Sequence, residues 1–178
     1  PCPRTLFPQR TKSAFTIEEK LGDRIYETTK FPLRLKDNKP GIGGIMRDIT
    51  QEKVASETIQ ILSKGIEQSP TMVVITDIHG KIEYVNPKFT EITGYGLNQV
   101  IGKKPSILNP KKHYVYPDLR DTLYSGKIWR GEFTDRKKNG ALYTEYVVIS
   151  PILDESGVVT NVLINSEDIT QKKKEEQI

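Results

Sequence analysis

The chain of 178 residues is poor in the side chains that most often build metal centres. It holds one cysteine, Cys2, and two histidines, His79 and His113. A lone cysteine cannot form an internal disulfide, which is the pattern expected in a reducing cytosol. Two histidines without a second cysteine also argue against a structural zinc site. We therefore expect no metal site and a cytoplasmic location, although a longer parent protein could carry a membrane anchor.

Long apolar runs and a strong excess of charge are also missing. No run of apolar residues approaches the length of a transmembrane helix, and the net charge is only +4. The basic runs at residues 136–138 and 172–174 are typical of solvated turns and helix faces rather than of a nucleic-acid surface. A Ser–His–Asp arrangement and a glycine-rich phosphate loop are absent as well. The sequence thus favours a non-catalytic chain that contacts neither nucleic acid nor membrane.

What the chain does contain is a repeated motif. Residues 48–51 read Asp-Ile-Thr-Gln, and so do residues 168–171. Each copy follows a strand-like segment, a polar turn and a second strand-like segment. These segments are residues 31–34, 36–39 and 41–46 before the first copy, and 149–152, 154–157 and 158–164 before the second. An internal repeat constrains the architecture, and this one predicts two related β units.

Hydrophobic periodicity divides the chain into five segments. We predict coil over residues 1–12, three strands within 13–50, a linker helix over 51–68, an α+β unit over 69–170, and the start of an outgoing helix over 171–178. The first unit matches only the last three strands of the second, so we expect it to be truncated. The second unit shows two strands, short helices, an irregular stretch over residues 97–112 and a three-stranded meander. That order predicts an α+β fold in which helices cover one face of an antiparallel five-stranded sheet.

The linker helix carries an apolar stripe. Ala55, Ile59, Leu62 and Ile66 follow one another at spacings of four, three and four residues. Two explanations stay open from the sequence. The stripe either packs on its own domain or pairs with its copy in a homodimer.

Short segments of the second unit match one known family in order and spacing. They include Ile75-Thr76-Asp77, Val85-Asn86-Pro87, Trp129-Arg130-Gly131-Glu132, Ile149-Ser150-Pro151-Ile152 and Asp168-Ile169-Thr170. With these segments, residues 66–175 resemble a PAS domain, the sensory module of bacterial and archaeal signalling proteins. Residues 13–50 resemble the last three strands of another PAS domain, which implies a tandem array.

The resemblance implies a function as well as a fold. In such proteins the sheet and its helices enclose a small cavity, and the helix that leaves the final strand drives an effector in the same polypeptide. The Asp-Ile-Thr motif stands at that junction, which implicates Asp48, Thr50, Asp168 and Thr170. Asp168 or Thr170 is expected to cap a helix that begins near Gln171. Capping without any switching role is the simpler explanation.

Strand alternation predicts which side chains face the implied cavity. The candidates are Trp129, Phe133, Asp135, Glu145, Val147, Ile149, Val162, Ile164 and Ser166. If the two carboxyl groups point inward, they would suit a cationic or hydrogen-bond-donating ligand, or have a raised pKa. We favour the alternative that one or both reach solvent at a strand edge. A cavity filled by its large apolar side chains would instead favour a ligand-free structural interaction domain.

Two cofactors of PAS relatives are not expected. The flavin photochemistry of LOV domains requires a cysteine in the helical region, which holds none. Haem requires an axial ligand, usually histidine. His79 falls in a predicted hairpin turn and His113 in a predicted loop, so haem is not expected either.

Flavin adenine dinucleotide (FAD), as in redox-sensing PAS domains, is the alternative that remains. Trp129 could stack beside the flavin ring. In flavin-binding relatives the positions of Asp135, Glu145 and Ser166 are commonly amides, which both donate and accept hydrogen bonds. Two ionised carboxylates would face the ring carbonyls with unpaired charge. We therefore expect an unknown ligand or none.

The leading interpretation is a sensory and dimerisation module of a multidomain signal-transduction protein. Its simplest effector is a histidine kinase of a two-component system, which would receive a ligand or redox signal through the Asp-Ile-Thr junction.

Overall fold

The computed structural model describes residues 13–36, 38–108 and 117–176. The chain divides into two compact units, residues 1–62 and residues 63–178. The division falls inside helix α1, Thr50–Glu67, which is the linker helix predicted from the sequence. The coil prediction for residues 1–12 lies outside the described residues.

Unit 1 is an antiparallel meander that leads into α1. Its strands are β1 (Phe15–Leu21), β2 (Arg24–Arg34) and β3 (Pro40–Asp48), in the order β1-β2-β3. Gly22 takes a φ of +62° in the two-residue turn between β1 and β2, a conformation that costs a residue with a side chain. Several apolar side chains of β3, among them Ile42, Ile45 and Met46, are exposed.

Unit 2 contains the full α+β arrangement predicted from the sequence. Its elements are β4 (Met72–Asp77), β5 (Ile82–Val85), α2 (Pro87–Thr93), α3 (Leu97–Val100), a 3-10 helix (Pro105–Leu108), α4 (Pro117–Tyr124), β6 (Trp129–Arg136), β7 (Leu142–Leu153), β8 (Val159–Asp168) and α5 (Thr170–Glu175). The five strands form one antiparallel sheet in the order β5-β4-β8-β7-β6. The prediction of an irregular stretch over 97–112 is wrong for α3 and the 3-10 helix, which are too short to show periodicity.

Helix α2 begins and ends at the residues that the sequence predicts. Asn86 is its N-cap, and its Oδ1 accepts the Phe89 N–H at 3.1 Å. Pro87 occupies the first helical position, where no intrahelical N–H bond is lost. Gly94 ends the helix at a φ of +78°, and its N–H donates to the Thr90 carbonyl at 2.9 Å.

Asn86 also joins α2 to the sheet. Its Oδ1 accepts the Val73 N–H of β4 at 2.9 Å. Its Nδ2 donates to the carbonyls of Ile66 and Thr71 at 3.2 and 2.9 Å. Because this side chain is only 1% exposed, these bonds satisfy polar groups that burial would otherwise leave costly.

Two apolar clusters build the core of unit 2. The larger consists of Met72, Val74, Ile82, Val85, Phe89, Val100, Leu108 and Tyr143. The smaller consists of Trp129, Val147 and Ile149, with Leu119, Leu123, Phe133, Val162 and Ile164 packed against it. None of the described helices combines the length and low polarity that crossing a bilayer would require.

Candidate functional site

The inner face of the five-stranded sheet and the helices above it border a cavity of about 890 Å³. Most of its lining residues are apolar. They include Met72 and Val74 of β4, Leu108 of the 3-10 helix, and Leu119 and Leu123 of α4. A volume in this range is typical of sites that hold a small molecule or a cofactor.

Eight of the nine side chains predicted to line a cavity do line this one. They are Phe133, Asp135, Glu145, Val147, Ile149, Val162, Ile164 and Ser166. The sheet brings them together because antiparallel register places Phe133 opposite Glu145 and Val147 opposite Ser166. That they bind a ligand stays a prediction. The apolar residues among them do not fill the cavity.

Trp129 is the predicted lining residue that the structure places elsewhere. Its indole folds over Gly131, where an added Cβ would overlap the ring. Its Nε1 donates to Asp118 Oδ2 at 3.3 Å, and its ring centroid lies 5.4 Å from that of Phe133. Alternation predicts the face of a strand but not the direction in which a large ring turns on that face.

Asp135 and Glu145 form a buried carboxyl pair. They are 3% and 6% exposed, so the expectation that one or both reach solvent is wrong. The two carboxyl groups hydrogen-bond to each other, and Ser166 also hydrogen-bonds to Glu145. Burial raises the pKa of Glu145 to about 8; the Ser166 bond opposes this shift and the Asp135 charge adds to it. Near neutral pH this raised pKa favours the protonated form of Glu145.

Tyr143 was missed by the sequence analysis. It lies two residues before Glu145 on the same strand face and opposite Asp135 in register. The side chain is 1% exposed, and its hydroxyl has no hydrogen-bond partner within the described part of the chain. Burial, with the neighbouring carboxylates, raises its pKa above the usual value. The alternation that identified Glu145 and Val147 would have found it.

The second Asp-Ile-Thr motif joins α5 to strand β7. Asp168 Oδ1 accepts the Thr170 N–H at 3.0 Å and also accepts the Thr170 hydroxyl. The hydroxyl oxygen in turn accepts the Thr144 N–H at 2.8 Å. The Ile169 N–H donates to the Thr144 carbonyl at 2.8 Å. We call these bonds the second junction.

The helix cap predicted at this motif needs correction. The N-cap position of α5 is Ile169, whereas the observed start at Thr170 agrees with the predicted start near Gln171. Asp168 does satisfy the Thr170 N–H. The Thr170 hydroxyl, however, accepts a hydrogen bond from Thr144 of β7 instead of capping the helix. It therefore fixes where the helix begins relative to the sheet.

The first junction, built by Asp48 and Thr50, has nearly the same geometry. The Thr50 N–H donates to Asp48 Oδ1 at 3.0 Å, and the Thr50 hydroxyl accepts the Ile25 N–H at 2.9 Å. The Ile49 N–H donates to the Ile25 carbonyl at 2.9 Å. The repeat seen in the sequence is therefore a repeat of hydrogen bonds.

Each junction aspartate also has a cationic partner. Lys137 Nζ lies 3.4 Å from Asp168 Oδ2, and Arg24 Nη1 lies 3.1 Å from Asp48 Oδ2. Partial burial tends to raise the pKa of Asp168, but the Thr170 bonds and the Lys137 ammonium outweigh it and hold that pKa below its usual value. Lys137 belongs to the basic run at 136–138, so the interpretation of that run as solvated is wrong at this residue.

The cavity wall and the second junction are adjacent. Glu145 stands directly opposite Asp168 in the register of β7 and β8. Its preceding residue, Thr144, holds the Thr170 hydroxyl. A change of charge or position at Glu145 therefore acts one residue away from the bonds that fix the start of α5.

The apolar stripe of α1 is uncovered. Ala55, Ile59, Leu62 and Ile66 are all exposed, Ile59 by 66% and Leu62 by 62%. No residue of α1 is buried. The homodimer explanation for this stripe stays a prediction.

The residues around the cavity offer little to haem or to a metal. His79 lines the rim at the turn after β4 and is exposed, while His113 and Cys2 lie outside the described residues. Among the described residues, no group of three or more potential ligands could hold a metal ion.

The cavity fits a flavin poorly. Trp129 does not line it, and among the described lining residues the polar groups of the inner wall are carboxyls and hydroxyls, with no amide side chain. Because burial raises the pKa of Glu145 to about 8, this carboxyl is protonated near neutral pH and could donate a hydrogen bond. The expectation of two ionised carboxylates beside the ring carbonyls is therefore wrong for Glu145.

Comparison with known proteins agrees with this fold. Residues 70–171 match the family model for the PAS domain. This chain belongs to the PAS domain family. The nitrogen fixation regulatory protein of Klebsiella oxytoca is 30% identical over 107 residues, which cover 59% of this chain and 22% of that protein. The hybrid signal transduction histidine kinase L of Dictyostelium discoideum is 34% identical over 112 residues, covering 63% of this chain and 6% of the kinase.

A solved structure extends the likeness beyond the PAS domain itself. An RNA-binding light-oxygen-voltage receptor superposes with a TM-score of 0.61 at 12% identity, covering 94% of this chain and 81% of that one. At this identity the likeness concerns the fold. The chain spans a minor part of both curated relatives, and it is a PAS domain homologous to regulatory and signalling proteins.

Proposed function

We propose that this chain is a non-catalytic sensory module of a larger signal-transduction protein, in which the PAS cavity controls helix α5 through the second junction. The homologous regulatory protein and histidine kinase support a signalling role. The simplest effector is a histidine kinase in the same polypeptide. The observation that carries the proposal is the register pair of Glu145 in the cavity and Asp168 at the junction.

We call this control of α5 by the cavity the relay. Its physical basis is electrostatic. The carboxyls of Glu145 and Asp168 stand opposite each other on adjacent strands, where like charges repel. While Glu145 holds a proton, Asp168 keeps its bonds to Thr170 and Lys137. A ligand or a pH change that alters the charge of Glu145 changes the field at Asp168, and hence the stability of the first turn of α5.

The relay can be tested with the Glu145→Gln variant, which mimics the protonated side chain. The reporter is the amide NMR signal of Lys173, whose N–H donates to the Ile169 carbonyl at 2.9 Å in the first turn of α5. We expect the wild-type and variant signals to coincide at pH 6 and to differ at pH 9, where wild-type Glu145 is ionised. The exposed Glu155→Gln variant should match wild type at both pH values. Equal α5 signals at pH 9, with shifted cavity signals, would reject the relay.

We further propose that the apolar stripe of α1 forms a homodimer contact. In the single chain its members expose large apolar surface, and burial of apolar area drives association. The spacing of the stripe is that of a short helix pair. Association through this helix would place two copies of the module side by side in the parent protein.

Sedimentation equilibrium would test the dimer contact. The double variant Ile59→Lys, Leu62→Lys should be monomeric at concentrations at which the wild type is dimeric. The matched control is Ile42→Lys, Ile45→Lys on β3, whose side chains are similarly exposed. If the β3 variant abolishes association and the α1 variant does not, the stripe is not the contact.

A further inference from the structure

We infer that the cavity of unit 2 takes an amphipathic carboxylic acid, with its carboxylate at the cavity mouth beside Lys104 and Arg120 and an unbranched apolar chain against the buried wall. The inference rests on the proposed sensory function and adds the chemical class of the ligand. It comes from the charges of the exposed lining residues, from the apolar lining below them, and from the path of β4 between the two.

The mouth of the cavity consists of the lining residues that are exposed to solvent. They are Ile78, His79, Lys104, Ser106, Arg120 and Tyr124. Two of them, Lys104 and Arg120, carry a positive charge, and no acidic residue belongs to the mouth within the described part of the chain. Charges of one sign around a cleft raise the local concentration of the opposite ion. The mouth therefore attracts an anion.

The charges of the mouth lack a counter-charge from the protein. Among the described residues, neither Lys104 nor Arg120 lies in a salt bridge. The Arg120 guanidinium carbon lies 5.4 Å from the ring centroid of Tyr124, a contact that leaves the charge uncompensated. Asp77 also lines the cavity, but its carboxylate accepts the backbone N–H groups of His79 and Lys81 at 2.8 and 2.7 Å. A ligand carboxylate would supply the missing charge.

Below the mouth most of the lining is apolar. Val74, Leu108, Leu123, Val162 and Ile164 border this space, and burial of a hydrocarbon chain against such side chains is favourable. A carboxylate gains nothing from the same wall, because among the described lining residues no buried side chain is cationic. The two parts of the lining therefore fit the two ends of one amphipathic acid.

Strand β4 connects the mouth to the buried wall. Its inward side chains run from Met72 to Thr76. Lys104 is held at the Thr76 end of this strand. The Ile82 N–H donates to the carbonyl of Lys103 at 2.8 Å, and Ile82 stands opposite Thr76 in register. Four residue steps along a strand span about 13 Å, so an acyl chain of medium length fits between the mouth and the wall.

The test is calorimetric titration with octanoate, octanol, octylammonium and butyrate. At pH 7 and low salt we expect octanoate to bind about fivefold tighter than octanol, because two exposed cations contribute modestly. Octanoate should bind about a hundredfold tighter than butyrate, whose chain is four methylene groups shorter. Octylammonium should bind more weakly than octanol. At an ionic strength of about 1 M, where the Debye length is about 3 Å, octanoate and octanol should bind alike.

A double variant and a matched control locate the carboxylate. Lys104→Gln, Arg120→Gln should bind octanoate no tighter than octanol and leave the affinity for octanol unchanged. The control Lys103→Gln, Lys127→Gln removes the same charge from two exposed lysines outside the lining, and it should keep the preference for octanoate.

A third variant locates the apolar chain. Val162→Phe places a ring in the cavity and should weaken octanoate and octanol alike, whereas the exposed Glu155→Gln variant should behave as wild type. Circular dichroism spectra that match wild type show that each variant is folded.

Several outcomes would overturn the inference. They are no octanoate binding at millimolar concentration, equal or tighter binding of octanol, octylammonium or butyrate at low salt, and a preference for octanoate that survives in the double variant or is lost equally in its control. The α5 signals separate this result from the proposed function. Octanoate binding that leaves Lys173 unshifted keeps the ligand class and rejects the relay, whereas a relay without octanoate binding rejects the ligand class.

Discussion

In unit 1 the residue opposite Asp48 across β2 and β3 is Tyr26, whereas in unit 2 the residue opposite Asp168 across β7 and β8 is Glu145. The hydrogen bonds of the two junctions agree within about 0.1 Å. The motif therefore specifies the hydrogen bonds of the junction, and in unit 2 the neighbouring strand adds a carboxyl opposite the aspartate, where unit 1 has a phenol. Because Tyr26 places a phenol rather than a carboxyl opposite Asp48, we expect the first junction to be constitutive.

The two sheets also differ in what covers them. In unit 2, α2, the 3-10 helix and α4 lie over the inner face of the sheet and bury Val147, Ile149 and Ser166. In the described part of unit 1, Ile42, Ile45 and Met46 remain exposed. The covered sheet of unit 2 borders a cavity, whereas the sheet of unit 1 exposes apolar side chains.

The largest expected effect comes from removing the Asn86 side chain, which joins helix α2 to the sheet of unit 2. Asn86→Ala leaves the Val73 N–H without its acceptor, and the Phe89 N–H keeps only the Asn86 backbone carbonyl at 3.1 Å. The carbonyls of Ile66 and Thr71 also lose a donor. A buried unsatisfied donor costs about 1–3 kcal/mol, so with the other lost bonds we expect unit 2 to lose about 3 kcal/mol. Urea unfolding followed by the fluorescence of Trp129, the single tryptophan, reports on unit 2.

The matched control for this change is Asn98→Ala. Asn98 is exposed on α3, and exposed substitutions of this kind usually change stability by less than about 0.5 kcal/mol. If both variants shift the urea midpoint equally, the Asn86 bonds do not hold helix α2 on the sheet.

The next effect is a pH dependence of unit 2 above pH 5, which comes from Glu145. The pKa of Glu145 is about 8 in the fold and 4.5 as an ordinary glutamate. Between these values the unfolded chain binds fewer protons, so stability falls as pH rises, by up to about 1.4 kcal/mol per pH unit. Urea midpoints of wild type should decline from pH 5 to pH 8, and those of Glu145→Gln should decline much less.

The pH range of the measurement matters because the shifted pKa of Asp168 changes stability in the opposite direction to that of Glu145. Its lowered pKa adds stability that is lost as pH falls below the usual range of an aspartate. Measurements above pH 5 separate the two groups. The Glu155→Gln variant should keep the wild-type slope, and a Glu145→Gln slope equal to wild type would contradict the assignment.

A smaller effect is expected where Trp129 packs. Gly131→Ala would force the indole away, because the added methyl overlaps its ring. Overpacking of this kind costs about 1–3 kcal/mol, and the displaced indole should emit at longer wavelength. Gly44→Ala in the uncovered sheet, where the nearest atom lies 3.7 Å away, should leave the emission unchanged. An unshifted spectrum for Gly131→Ala would show that the ring tolerates the methyl.

Trp129 also shows what the sequence could and could not predict. Alternation and the repeat predicted the strands, the antiparallel sheet and eight of the cavity residues, because those follow from the period of two in a strand. The path of the indole over Gly131, the Lys137 pair and the burial of Asp135 depend on side-chain packing between distant segments. Packing between distant segments leaves no signal in the local sequence pattern, which is why solvent exposure was expected for the two carboxyls.

The smallest expected effect comes from variants that compare the two junctions directly. Thr170→Val removes the acceptor of the Thr144 N–H, and Thr50→Val removes that of the Ile25 N–H. Losing one such bond costs about 1–2 kcal/mol, and amide exchange should rise at Thr144 in the first variant and at Ile25 in the second. Thr170→Ser and Thr50→Ser keep the hydroxyl and should retain protection.

The same variants distinguish a responsive junction from a constitutive one. Exchange at Thr144 should depend on pH between 6 and 9 beyond the intrinsic rate, because ionised Glu145 repels Asp168 across the register pair. Exchange at Ile25 should follow the intrinsic rate alone. Placing the charge in unit 1 with Tyr26→Glu should then make Ile25 pH-dependent, provided that the new carboxyl is shielded from water. If Tyr26→Glu leaves Ile25 unchanged, then burial beneath the helices of unit 2, and not the residue opposite the aspartate, makes the second junction sensitive.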